Sequence, residues 1–170
     1  MLDFLKGKCV INLDKFWTDP KTIIKKLKSH DMCDQVIVKS YFNEKTIKVL
    51  SNSDEKLPYM LMVKKVEPEI EKHILKNGVN LVAEELIFDN LSSEIISKDN
   101  VNRLKNLGLF SWINTIVYDY KKVISGGLTD DRAVLGEKDE VWGFFKDLGI
   151  DIIQTDWVKE LSQYFLQDNQ

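Results

Sequence analysis

Gly149-Ile150-Asp151-Ile152-Ile153-Gln154-Thr155-Asp156 runs directly into Trp157-Val158-Lys159-Glu160-Leu161. The first part reads as a short buried strand that ends in a polar pair. The second reads as a turn into an amphipathic helix. This order puts Thr155 and Asp156 at the carboxyl end of a strand, the end where barrel enzymes keep their chemistry.

The same alternation repeats upstream. Apolar runs of strand length lie at Lys8–Leu13, Gln35–Lys39, Tyr59–Val63, Asn80–Glu85, Phe110–Thr115 and Asp151–Gln154. Helical patterns fill most of the gaps. Asp19-Pro20 offers an N-cap with proline at the first helical position, followed by the stripe Ile23, Ile24 and Leu27. Glu67-Pro68 opens a second, carrying Ile70, Ile74 and Leu75 and stopping near Asn77-Gly78. Ser92 to Leu107 reads as two short helices broken at Lys98-Asp99-Asn100. Glu137 to Leu148 carries Val141, Trp142, Phe144 and Phe145 and stops at Gly149, and Val158 to Leu166 closes the chain on Leu161, Tyr164 and Phe165. The longest irregular stretch is Tyr118 to Lys138, and a loop of that length is more often functional than idle.

Near-continuous apolar strands separated by helices imply a parallel sheet covered on both faces. No glycine-rich phosphate fingerprint follows a strand, which argues against a dinucleotide-binding sheet. The remaining expectation is an α/β fold, an incomplete TIM-type (β/α) barrel with about six parallel strands of the usual eight, in a single domain over residues 1–170. Missing strands leave open edges, which invite self-association.

Composition narrows the class. Of the 170 residues 44% are hydrophobic and 30% charged, as in an ordered globular chain. A net charge of −3 gives no general attraction to nucleic acid. No apolar run reaches the roughly 20 residues of a membrane span. The start lacks the apolar core of a signal peptide, so the compartment stays unassigned, cytoplasmic by default. Lys25, Lys26 and Lys28 read as a solvated helix face. Two cysteines make no disulfide framework, and Cys9, in an apolar run, is expected to be buried.

The strand ends are polar in a consistent way. They carry Asn12-Leu13-Asp14-Lys15, Lys39-Ser40, Lys64-Lys65, Glu84-Glu85, Trp112-Ile113-Asn114-Thr115 and Thr155-Asp156. In a parallel sheet these ends share one face. Acids mixed with lysines there suit a hard cation and a phosphate held side by side. The plainer alternative also stands: Asp14 starts a turn, Lys39 snorkels from a strand end, and Trp112 is a core aromatic.

These same segments resemble the glycerophosphodiester phosphodiesterase family. Asn12-Leu13-Asp14-Lys15 is similar to its Asn-x-Glu-x-Lys strand, with Asp14 in the place of the metal-binding acid. Asp34-Gln35-Val36-Ile37-Val38-Lys39 resembles the following strand, Trp112-Ile113-Asn114-Thr115 its Trp-x-Asn strand, and the Gln154-Thr155-Asp156 segment its closing strand. Gly126 to Ala133 resembles a glycine and aspartate loop of one branch, with Leu128 where that branch often has histidine. The resemblance implies metal-assisted hydrolysis of glycerophosphodiesters to glycerol 3-phosphate and an alcohol. It implies a divalent cation, Mg²⁺ or Ca²⁺, on Asp14. It makes Lys15, Lys39, Glu85, Trp112, Asn114 and Asp156 substrate-binding.

The family's His-Arg-Gly strand, Glu-x-Asp pair and second catalytic histidine have no match in these residues. The chain's two histidines, His30 and His73, fall elsewhere, so no catalytic residue is assigned. The expectation is the carboxyl-terminal part of a phosphodiesterase-like barrel, inactive as this chain. The alternative is a non-catalytic protein of the same fold that binds a partner or completes a barrel in trans.

Overall fold

A computed structural model describes residues 2–117 and 124–167. The fold is α/β, with six parallel strands in chain order, the topology of an incomplete (β/α) barrel. The strands are β1 (Ile11–Leu13), β2 (Val36–Tyr41), β3 (Tyr59–Val63), β4 (Leu81–Leu86), β5 (Phe110–Asn114) and β6 (Ile152–Gln154). All six answer to runs expected from sequence. Two compact units divide the chain: Met1–Met62 with Glu67–Glu84, and Val63–Val66 with Glu85–Gln170.

In the first unit β1 pairs with β2 through Asn12 and Ile37, and β2 with β3 through Lys39 and Met60. Helices α1 (Leu2–Leu5), α2 (Pro20–Ser29), α3 (Glu44–Ser51) and α4 (Pro68–Lys76) belong to this unit. Asp19 caps α2 as its sequence suggests, accepting the Thr22 N–H at 3.2 Å. The core includes Phe16, Leu27, Val38, Ile47, Tyr59 and Ile74, all essentially solvent-free. Each such large apolar side chain contributes about 1.5–3 kcal/mol by leaving water.

Two features of this unit depart from the sequence expectations. Helix α3 has no counterpart in them. Its start, Asn43, accepts the N–H groups of Lys45 and Thr46, and its stripe is Ile47 and Leu50. Cys9 is exposed rather than buried, because β1 begins only at Ile11. The Gln35 side chain takes the place of strand pairing before that point. It accepts the Gly7 N–H at 2.7 Å and donates to the carbonyls of Leu5 and Cys9.

In the second unit β5 and β6 pair through Trp112–Ile152 and Asn114–Gln154. Helices α5 (Lys98–Asn106), α6 (Asp130–Val134), α7 (Phe144–Leu148) and α8 (Val158–Gln167) belong here. Ser92 to Leu107 does hold two short helices, a 3-10 turn at Glu94–Ile96 and then α5. The break falls at Ser97, whose hydroxyl caps Asn100, so Lys98-Asp99-Asn100 opens the second helix instead of interrupting it. The helix expected at Glu137–Leu148 is half π-helix, Asp139–Gly143, leading into α7. Of the expected loop from Tyr118 to Lys138, residues 118–123 lie outside the described residues. The rest is short structure: Ser125 bridges Phe88, and α6 follows.

Candidate functional site

In the first unit the strands end on one edge, and alternation along them puts Asn12, Ile37, Lys39 and Met60 on a common face. Lys39 is the unusual member. Its side chain is 6% exposed, and Nζ stands 3.8 Å from Oδ1 of Asp14, whose own side chain is 59% exposed. An ammonium group taken from water needs such pairing, since burial of a lone charge is costly. Two residues before Asp14, Oδ1 of Asn12 is buried and accepts no hydrogen bond among the described residues. A polar atom in that condition is ready for a donor or a cation. Lys15 is exposed and adopts the left-handed region, φ 55°, as the chain turns into the 3-10 helix Phe16–Thr18. Its carbonyl holds that turn by accepting the Thr18 hydroxyl at 2.8 Å.

Thus Asp14 and Lys39 are neighbours as the sequence suggested, and Lys15 is adjacent but faces solvent. A buried cation beside a half-hydrated carboxylate can take up an anionic oxygen without losing its charge partner. Among the described residues no group of three or more His, Cys, Asp or Glu side chains could hold a metal ion.

In the second unit the edge is organised by a residue that sequence reasoning passed over. Asp130, the N1 residue of α6, is 2% exposed. Its Oδ1 accepts the Thr115 hydroxyl at 2.7 Å and the Trp142 indole N–H at 3.2 Å. Its Oδ2 accepts the Asp156 N–H at 3.0 Å. The ends of β5 and β6 and the π turn are therefore tied to one carboxylate. The available signal was Thr129-Asp130-Asp131, an N-terminal helix signature inside the loop already singled out.

The other expected residues of this unit have distinct positions. Trp112 is 9% exposed and donates to Gln154 Oε1 at 3.3 Å, on the face it shares with Asn114. Asn114 is buried, and its Oδ1 accepts the Ile116 N–H at 3.0 Å. Glu85 is buried at 2% and held by neighbouring groups. Asp156 contributes its backbone to Asp130 and leaves its carboxylate exposed. Leu128 is 4% exposed, so the loop spends this position on the core. Gly126 beside it has φ +60°, and a Cβ there would meet Leu91 Cδ2 at 2.9 Å.

Both histidines are engaged with carboxylates, and the His73 ring also packs edge-on against Phe42, the residue that follows β2. His30, at the end of α2, has Nδ1 2.6 Å from Asp3 Oδ1, a bond that holds the Asp3 carboxyl below its usual range. His73, on α4, has Nε2 3.0 Å from Glu44.

No curated protein matches the sequence. Residues 59–165, more than half of the chain, match the model of one family, and that span takes in Glu85, Trp112, Asn114 and Asp156 but stops short of Asp14, Lys15 and Lys39. The chain belongs to this family, DUF4996, a domain of unknown function.

Proposed function

We propose that this chain is a glycerophosphodiester phosphodiesterase-like domain that binds a glycerophosphodiester or its glycerol 3-phosphate portion and does not turn it over unaided. The observation that carries the reading is Lys39, a nearly buried ammonium 3.8 Å from Asp14 and on the face of the orphaned Asn12 oxygen. Lysine supplies a point charge for one phosphate oxygen.

Asp14 and the Asn12 oxygen are two donors. They suit Mg²⁺, which keeps several waters and uses one or two carboxylates plus substrate phosphate, better than Ca²⁺, which takes six to eight oxygens. Such an ion would supply charge neutralisation at the phosphate. Proton transfer is another matter. Acid–base catalysis is worth about 10²- to 10⁴-fold in rate, and both histidines are already engaged, His30 with Asp3 and His73 with Glu44.

Calorimetric titration with glycerol 3-phosphate and with glycerophosphocholine, each with and without Mg²⁺, tests this. Saturable binding that weakens at least roughly tenfold in Lys39→Met, with no glycerol 3-phosphate released from the diester, is the expected result. Equal affinity in Lys39→Met, or turnover abolished by Asp14→Ala, would overturn it. Self-association through β1 and β6, the end strands of the sheet, belongs to the same reading and is measured by light scattering. Among the described residues no helix is long and apolar enough to cross a membrane.

A further inference from the structure

The first unit carries a concavity that neither Asp14 nor Lys39 lines. A cavity of about 420 Å³ opens where α2 and α3 begin, with Trp17, Tyr41 and Phe42 in its wall beside Lys21 and Lys45. It shares Lys21, Lys45 and Val49 with a groove of about 590 Å³ that continues between the two helices past Ile24 and Lys48.

Two properties of this groove point to the same kind of ligand. The first is apolar surface left in water: Trp17 is 40% exposed, Tyr41 44% and Phe42 36%. Gathered in one cavity, the three rings offer an apolar body a wall to rest against. The second is a surplus of positive charge. Lys21, Lys45 and Lys48 are all exposed, and none of them forms an ion pair among the described residues. One acid, Asp19, lines the cavity with them and keeps its charge while accepting the Thr22 N–H, and Glu44, paired with His73, does not line it, so three ammonium groups face one carboxylate. The groove therefore presents positive charge above an apolar floor.

We propose that it binds a single-chain anionic amphiphile, with a phosphate or carboxylate head held by Lys21, Lys45 and Lys48 and an apolar body laid against Trp17, Tyr41 and Phe42. Charge complementarity selects an anion, and the aromatic wall selects one with an apolar body over a bare inorganic ion. The volume is that of a small-ligand pocket, and its concavity suits an inserted molecule better than a flat bilayer surface. Asp14 and Lys39 take no part.

The test titrates the full chain with dodecyl phosphate below its micelle-forming concentration, read by tryptophan fluorescence and backbone amide NMR shifts. Saturable binding is expected, with shifts confined to residues 17–24 and 40–53 and the fluorescence change lost in Trp17→Phe. The triple variant Lys21→Gln, Lys45→Gln, Lys48→Gln should bind roughly tenfold or more weakly with its melting temperature unchanged. Phe42→Ala should also weaken binding, and inorganic phosphate at the same concentrations should shift nothing. Shifts elsewhere, equal binding by the triple variant, or equal binding of a neutral dodecyl amphiphile would overturn the assignment. So would a response to inorganic phosphate alone, or binding only to vesicles of anionic phospholipid.

Discussion

Trp142 donates its indole N–H to Oδ1 of Asp130 over 3.2 Å, and both side chains are shut off from solvent. Thr115 and the Asp156 N–H complete the set of donors on that carboxylate. Losing the acid strands the buried Trp142 N–H and frees the Asp156 N–H, while the Thr115 hydroxyl keeps the Gln154 carbonyl at 3.0 Å. Asp130→Ala is expected to lower stability by about 3 kcal/mol or more, and Asp130→Asn by less, because its amide keeps one acceptor oxygen. Urea denaturation followed by tryptophan fluorescence measures both. Parent-like stability of the alanine variant would refute the clamp.

Gly143 closes the π-helix at a point where a Cβ would fall 2.6 Å from the Tyr164 hydroxyl. That hydroxyl is fixed from the other side, donating to Asp139 Oδ1 at 2.7 Å. Gly143→Ala must therefore push α8 away or break the bond. A cost of about 1–3 kcal/mol is expected, the range of other overpacked sites. Adding Tyr164→Phe removes the obstructing oxygen and should restore part of the loss in thermal melts. A double variant no more stable than Gly143→Ala would point to backbone strain instead.

The six strands were legible because each is an apolar run bounded by turn residues, and Tyr59–Val63 is found at its expected limits. Their parallel order followed from the helices between them. What escaped was set by side chains remote in sequence. Gln35 occupies the backbone of residues 5–9 and so trims β1, which no local pattern announces. Helix α3 was missed for a different reason: only eight residues long, it has three apolar residues, of which just Ile47 and Leu50 fall at helical spacing on the buried side, and its real signal is the Asn43 cap.

The candidate site was legible to the same degree. Asp14 and Lys39 could be paired from strand ends alone, since parallel strands carry their last residues to one edge. Asp130 could not, because its importance lies in collecting donors from positions 12 and 26 residues away. Its loop looked like a place for ligand chemistry, and the carboxylate there is fully engaged in holding the chain.

Tyr59 gives the fold an alkaline limit. Burial pushes its phenol up to about 12, against the smaller opposing effect of its hydrogen bond with Ser40. Unfolded, the group ionises near 10. Its neutral form is thus retained by the folded chain alone, so the contribution is complete below pH 10 and is lost as pH rises toward 12. Tyr164, pushed up to about 12 by burial and its bond to Asp139, acts in the same direction. Urea midpoints should fall across that window and fall less steeply in Tyr59→Phe. An identical slope in the variant would exclude Tyr59 as the source.

Asp156 separates a backbone role from a side-chain role. Its N–H is bound to Oδ2 of Asp130 at 3.0 Å, while its carboxylate is in solvent. Removing only the carboxylate, as in Asp156→Ala, should change stability by less than about 0.5 kcal/mol. Asp156→Pro removes the donor together with the carboxylate, leaves one buried oxygen of Asp130 without this bond and should cost about 1.5–3 kcal/mol, so its difference from Asp156→Ala isolates the N–H. Chemical denaturation of the two variants side by side decides the matter. Equal losses would mean that the exposed carboxylate, and not the amide, anchors this end of β6. A silent alanine and a costly proline would leave that carboxylate available to a ligand.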